Sequence, residues 1–198
     1  AGRRLMRVWI TGLGAVSGCS APATTPGSAS ANPTADATGL HGIRTLPFYG
    51  EHQSGILTPA QAFASFVAFD LAPGVDRDAL RRFMALWTDD AARLCGGSAP
   101  LADPEPELTT SPARLTVTVG FGPKAVAAAG GTAPAWLAPL PAFAKIDKLE
   151  DRWSHGDILL HIGSDDPVTS SHALRMFVKD ARTFAKVRWV QPGFRRTV

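Results

Sequence analysis

The hydrophobic pattern changes period several times along this chain, and each change marks an element. Residues 62–72, AFASFVAFDLA, are apolar with interspersed aromatics and stop at Pro73-Gly74, which predicts a strand. Asp76 can cap the next helix, in which Leu80, Phe83, Met84, Trp87, Ala91 and Leu94 recur at the three-and-four spacing of one face until Gly96-Gly97. Residues 98–112 hold four prolines and several acids and read as a loop. Segment 114–122, RLTVTVGFG, alternates, with Leu115, Val117 and Val119 on one side and Arg114, Thr116 and Thr118 on the other, as a half-buried strand does. The long connection 123–155 starts with a short Ala-rich helix at Pro123 and has a turn near Ala135-Trp136-Leu137. GDILLHIG (156–163) reads as another strand, and Asp166-Pro167 supply a cap and a first helical position. The second main helix shows Leu174, Phe177, Val178, Ala181 and Phe184 on one face, and KVRWVQPGF (186–194) is the last strand.

The order β-α-β-β-α-β predicts an α+β fold of the ferredoxin-like, split βαβ kind, a four-stranded antiparallel sheet with its helices on one face. The heavier face goes to the helices: Phe63, Val67, Phe69, Leu115, Val117, Val119, Ile158, Leu160, Ile162, Val187 and Trp189. The opposite face then carries Ala64, Phe66, Ala68, Thr116, Thr118, Leu159, His161, Arg188 and Val190. It is too mixed for a dry core and too apolar for a purely solvated surface, so a second domain, another subunit or a ligand is expected to pack on it.

Composition changes the picture mainly at the amino terminus. With 45% hydrophobic and 19% charged residues the chain can build an ordinary core. The net charge of +3 is a local matter. Arg3, Arg4 and Arg7 precede any acid, and from Ser20 onward basic and acidic residues balance, so no nucleic-acid partner is expected. Residues 1–19 have a basic start and an apolar stretch from Val8 to Gly18, too short to span a bilayer and suited to a signal peptide. Arg3-Arg4-Leu5-Met6 resembles a twin-arginine export signal with Met6 in place of the usual phenylalanine; without that resemblance it is an ordinary basic start. Val16-Ser17-Gly18-Cys19 resembles a bacterial lipobox, in which Cys19 would be lipidated and become the first residue. Residues 20–39, rich in Ala, Ser, Thr, Pro and Gly, read as a flexible tether. The expectation is an exported, extracytoplasmic protein that meets a membrane only through a lipid anchor, with residues 40–198 as its folded domain. Cys95 closes an apolar stripe and reads as a small buried hydrophobe.

The side chains that could carry chemistry each have a simpler structural reading. His52, in Gly50-Glu51-His52-Gln53-Ser54-Gly55, could be a ligand or an acid/base group, or a residue that fixes its turn by bonding backbone. His161 falls on the uncovered sheet face, where it could touch a cofactor or sit satisfied under a partner domain. His172 reads as a surface residue of the second helix, His155 as part of a turn and His41 as the tether's end. No H-x-E, H-E-x-x-H or C-x-x-C-H pattern occurs, which removes the zinc-hydrolase and covalent haem readings. In Asp165-Asp166 the second residue is an N-cap and the first a helix-dipole partner. Gly120-Phe121-Gly122-Pro123-Lys124 lacks the third glycine of a dinucleotide fingerprint and the ending of a P-loop, so it reads as a tight turn before a helix.

Four segments, taken in order, resemble the dye-decolourising (DyP-type) haem peroxidases of the bacterial exported branch. They are Pro47-Phe48-Tyr49-Gly50-Glu51-His52-Gln53-Ser54-Gly55-Ile56; Ala68-Phe69-Asp70-Leu71 with its helix; Thr116-Val117-Thr118-Val119-Gly120-Phe121-Gly122-Pro123; and Gly156-Asp157-Ile158-Leu159-Leu160-His161-Ile162 followed by Asp165-Asp166-Pro167, Arg188-Trp189-Val190-Gln191 and Gly193-Phe194. The resemblance implies half of a dimeric α/β-barrel type scaffold. The complete protein would hold haem b mainly in its carboxy-terminal half and use hydrogen peroxide to oxidise dyes, phenolics or other small one-electron donors. The family's distal aspartate lies in a G-x-x-D-G motif that does not occur here, and no segment matches the stretch with the proximal histidine and distal arginine. No catalytic, cofactor-binding or metal-binding residue is therefore carried onto this chain. The expectation is an amino-terminal half that is inactive alone, does not stably bind haem, and has the haem-binding half as its missing partner. The rival reading is a non-catalytic exported lipoprotein module that forms a homo-oligomer or binds a partner in iron or haem handling.

Overall fold

Asp76 starts the longest helix because its side chain does what the backbone there cannot: its carboxylate accepts a hydrogen bond from Ala79 N at 2.8 Å, satisfying one of the free first-turn donors. In the computed structural model, which describes residues 41–139, 141–143 and 145–196, this helix is α1, Arg77–Cys95. It follows strand β1, Phe63–Leu71, and leads through a loop with a 3-10 turn at Pro106–Thr110 to β2, Thr116–Phe121. Short helix α2, Pro123–Ala128, opens with proline at its first turn, where a missing N–H costs nothing. A turn closes at Leu137 N to Pro134 O, as its sequence suggests. Then come β3, Ile158–Ser164, helix α3, Pro167–Ala181, and β4, Ala185–Phe194. The signal-like segment 1–19 with Cys19 and the tether 20–39 lie outside the described residues.

All strand pairs are antiparallel and the spatial order is β2-β3-β1-β4, the ferredoxin-like arrangement with its helices on one face. Val67, Phe69, Leu160 and Ile162 of the sheet, Phe83 of α1 and Phe177 of α3 are wholly buried together. Trp87 sits among them, edge-on to Phe69 and Phe177 and tilted against Phe83, with Nε1 donating to Phe177 O at 3.3 Å. Cys95 is a free, fully buried thiol at the end of α1, and burial pushes it up to about 12, so it packs and does not react. No described helix is long and apolar enough to cross a membrane.

Three sequence readings change here. The register of β4 on β1 jumps between Ala68↔Trp189 and Phe69↔Val187, so Arg188 is the extra residue of a β-bulge. Beyond it the strand's alternation inverts: Trp189 pairs with Ala68 on the uncovered face, and Val190 pairs with Val67 on the helix side, the reverse of the simple alternating assignment. His172 is not on the surface. It is 2% exposed, and its Nε2 lies 3.0 Å from Asp103 Oδ1. The proline-rich loop packs on α3, with Asp103 against His172, Glu105 against Arg175 and Ser111 O accepting from Thr169 Oγ1, so that helix is covered by the loop as well as by the sheet. Asp165 does more than face a helix dipole: it accepts from Ala62 N at 3.0 Å and pairs with Arg114 Nη1 at 2.9 Å. That pair braces two left-handed residues, Ala113 and Arg114, at the entry to β2. Asp166 caps α3 as expected, accepting from Thr169 N at 2.7 Å.

Candidate functional site

The site is the sheet face opposite the helices, and two straps decide how much of it stays open. The first strap, residues 53–61, closes the β2 end. The Gln53 side-chain amide both donates to Val119 O at 3.0 Å and accepts from Val119 N at 2.9 Å, imitating a neighbouring strand on the free edge of β2. Thr118 Oγ1 donates to Ser54 O at 2.6 Å, and Gln61 Nε2 donates to Thr116 Oγ1 at 2.8 Å and Arg114 O at 3.1 Å. Thr116, placed by alternation on an uncovered face, is thereby fully buried.

The strap depends on Gly55, whose φ is +104° and whose Cβ, if it had one, would lie 2.3 Å from Thr118 Oγ1. Gly55→Ala is therefore expected to lift the strap and lower stability by about 1–3 kcal/mol. Urea unfolding would read the loss, and faster amide exchange at Val119 would show that the β2 edge has been uncovered. An unchanged midpoint would mean that the strap contributes nothing.

The second strap, residues 151–157, closes the β1–β4 end. The bulge aims Arg188 at it: Nε donates to Ser154 O at 2.6 Å and Nη1 to Asp70 Oδ2 at 3.1 Å. Trp189 Nε1 donates to His155 O at 3.0 Å. Gly156, with φ +134°, passes so close that an added Cβ would stand 2.9 Å from Ala68 Cβ, which leaves Ala68 2% exposed. Asp157 then accepts from Leu71 N at 2.8 Å and from Lys124 Nζ at 2.9 Å.

Between the straps lies an uncovered apolar centre. Phe66 is 40% exposed and Leu159 36%. The His161 imidazole stacks on the Phe66 ring, centroids 4.5 Å apart, and burial lowers its pKa, so it is a neutral, mostly apolar plate at pH 7. The sequence places Phe66, Leu159 and His161 on this face, and the structure brings them together. It does not bring His52, His155 or His172 there. His52 is exposed just before the first strap, whose bonds come from Gln53, Gln61 and Thr118 and not from the imidazole. His155 contributes only its carbonyl, and His172 is on the far side of the sheet in the helix layer.

This donor set does not by itself fit a haem held for peroxide chemistry. That chemistry needs an axial ligand and, on the other side of the iron, a group that moves a proton. The face offers one imidazole laid flat against a phenyl ring, and the described residues bring together no group of three or more His, Cys, Asp or Glu side chains that could hold a metal ion. What the arrangement can do is dock: a flat apolar floor, rimmed by polar straps whose backbone is largely hydrogen-bonded, is the anatomy of an interface.

The known proteins that this chain is similar to agree on one family. The family model described as Dyp-type peroxidase, N-terminal, matches residues 53–195. A deferrochelatase from Escherichia coli (strain K12) is 36% identical over 160 residues, covering 75% of this chain and 38% of the relative. Among solved structures, a DyP-type peroxidase from Cellulomonas bogoriensis superposes with a TM-score of 0.77 at 50% identity, covering 79% of this chain and 44% of that one. Ferric DtpA from Streptomyces lividans gives a TM-score of 0.74 at 40% identity, with 81% and 45% covered. The chain thus spans less than half the length of each of these relatives.

Proposed function

Since the chain belongs to the Dyp-type peroxidase N-terminal family, we propose that it is the first lobe of a two-lobed haem peroxidase and that its uncovered sheet face receives the haem-binding second lobe. The observation that carries this is the Phe66–Leu159–His161 centre, left open between two straps in a chain covering only 44% of the Cellulomonas bogoriensis peroxidase. Haem b in the assembled protein would supply peroxide cleavage and one-electron oxidation of small donors such as dyes or phenolics. The residues of this chain do something else. Phe66 and Leu159 exclude water from one side of the interface, and neutral His161 completes the apolar floor without adding a buried charge. The amino-terminal pattern ending at Cys19 supports an extracytoplasmic place for the assembly, held at a membrane by a lipid on that residue; the mass of the mature amino terminus checks this.

The test is complementation. The chain is co-expressed with the carboxy-terminal half of the Cellulomonas bogoriensis peroxidase, which is 50% identical to it across the shared lobe. The expected result is a complex that retains haem with a sharp Soret band and oxidises a dye with peroxide, while the chain alone does neither. Stoichiometric haem and peroxide turnover in the chain alone would overturn the reading, as would two lobes that never associate. The deferrochelatase name of the Escherichia coli relative favours a second reading, in which the assembled protein works on chelated iron; release of iron from haem without peroxide would separate the two.

A further inference from the structure

The helix layer holds a feature that neither docking nor peroxide chemistry uses. Asp90 of α1 is 5% exposed, and the side chain of Asp180, near the end of α3, is also 5% exposed. The two side chains face each other where α1 packs on α3. Asp180 Oδ1 accepts from Lys179 Nζ at 2.7 Å, but Oδ2 is buried and no N–H or O–H group of the described residues donates to it. Two ionised carboxylates have only acceptors to offer each other, so their contact needs a proton that one of them keeps. The Lys179 ammonium on Asp180 decides which one ionises. A buried carboxylate oxygen with no donor is costly, and an Asp90 O–H is the donor within reach.

From this geometry we infer that Asp90 and Asp180 share one proton, Asp90 donating its O–H to Asp180 Oδ2, and that the pair makes the α1–α3 contact a pH-sensitive clamp, tight in acid and weakened as the medium turns alkaline. The charged groups facing Asp90 are Asp180 and Lys179 from α3 and Asp89 from its own helix. Asp89 is turned to Arg93 at 3.1 Å. Burial, then the hydrogen bond and charge of Asp180, then the charge of Asp89 push the Asp90 carboxyl from its ordinary 3.8 up to about 7, opposed by the Lys179 charge. The sign follows from linkage. The folded chain holds a proton that the unfolded chain has released between those two values. Stability is full at the acid end, falls as pH rises through that window, and levels off above about 7.

Two measurements test it. In the full chain, the shared proton is expected to lower the folded-to-unfolded ratio from urea unfolding about tenfold per pH unit between about pH 5 and about pH 7, a contribution opposed by that of buried His161 and therefore read as the difference from Asp90→Asn. Asp90→Asn, whose amide donates to Asp180 at every pH, should flatten that slope and raise the ratio at about pH 8 by tenfold or more. Parallel profiles for the wild type and Asp90→Asn would overturn the inference. If the variant fails to fold, the carboxyl carbon of Asp90, followed by NMR in the wild-type chain, still decides. A midpoint near neutrality supports the shared proton, and one in the ordinary aspartate range refutes it.

Discussion

Trp87→Ala is expected to cost about 3–5 kcal/mol, a large part of the stability of a domain this size. The Trp87 side chain joins the sheet to both main helices. The indole meets Phe69 of the sheet at 5.3 Å between ring centroids, Phe83 of its own helix at 4.3 Å and Phe177 of α3 at 5.7 Å, and its Nε1 donates to the Phe177 carbonyl. Truncation removes the apolar area, leaves a cavity lined by three rings, and removes the indole's hydrogen bond to the Phe177 carbonyl, which keeps only its helical partner. The melting temperature should drop by about 10 °C or more. Leu86→Ala on the same helix is the control: Leu86 is 39% exposed, so its loss should be felt far less. A Trp87→Ala chain that melts within a degree or two of the wild type would mean that the aromatic cluster is not what holds α1 and α3 to the sheet.

The second large effect is on assembly and leaves the fold alone. Phe66→Asp puts an unpaired charge at the centre of the uncovered face. Because Phe66 is already 40% exposed and projects away from the helix layer, the isolated chain should keep its melting temperature. Docking of the second lobe should weaken by about 2–4 kcal/mol, since a charge at the dry centre of an interface costs both the aromatic contact and its own desolvation. In the complementation assay this means roughly 30- to 1,000-fold weaker association and loss of retained haem. Val168→Asp, at a 53% exposed position opening α3 in the helix layer, serves as the matched charge control and should change neither. Undiminished association by the Phe66→Asp chain would place the docking surface elsewhere.

Most of the fold is written locally. Asp76 and Asp166 sit one residue before their helices and cap them as their positions indicate, because a cap needs only a carboxylate within reach of the first-turn amides. The strands β1, β2 and β3 alternate as read, and so the apolar centre made by Phe66, Leu159 and His161 was accessible from period alone. Where the reading failed, a contact distant in sequence decided the outcome. Trp189 and Val190 exchange faces because Arg188 bulges out to hold the 151–154 turn, and nothing within β4 announces that bond. His172 is buried by Asp103, a residue 69 positions away in a loop whose prolines and acids suggest solvent. That the chain's own segment before β1 covers part of the sheet face is not legible because it carries no strand period; it binds Val119 through the Gln53 amide and Thr116 through the Gln61 amide, and a glutamine gives no sign of which group it will bond.

By itself, the sequence determined the element order, the sense of each helix's apolar face, the antiparallel ferredoxin-like class and the presence of a face in need of a partner, because those depend on spacings within one element. Tertiary structure alone decided which part of that face stays open, which histidine is exposed, and that two carboxyl groups 90 residues apart meet in a dry interface. Those outcomes depend on which surfaces come within a hydrogen bond of each other once the chain is closed, a property of the whole arrangement and of no single segment.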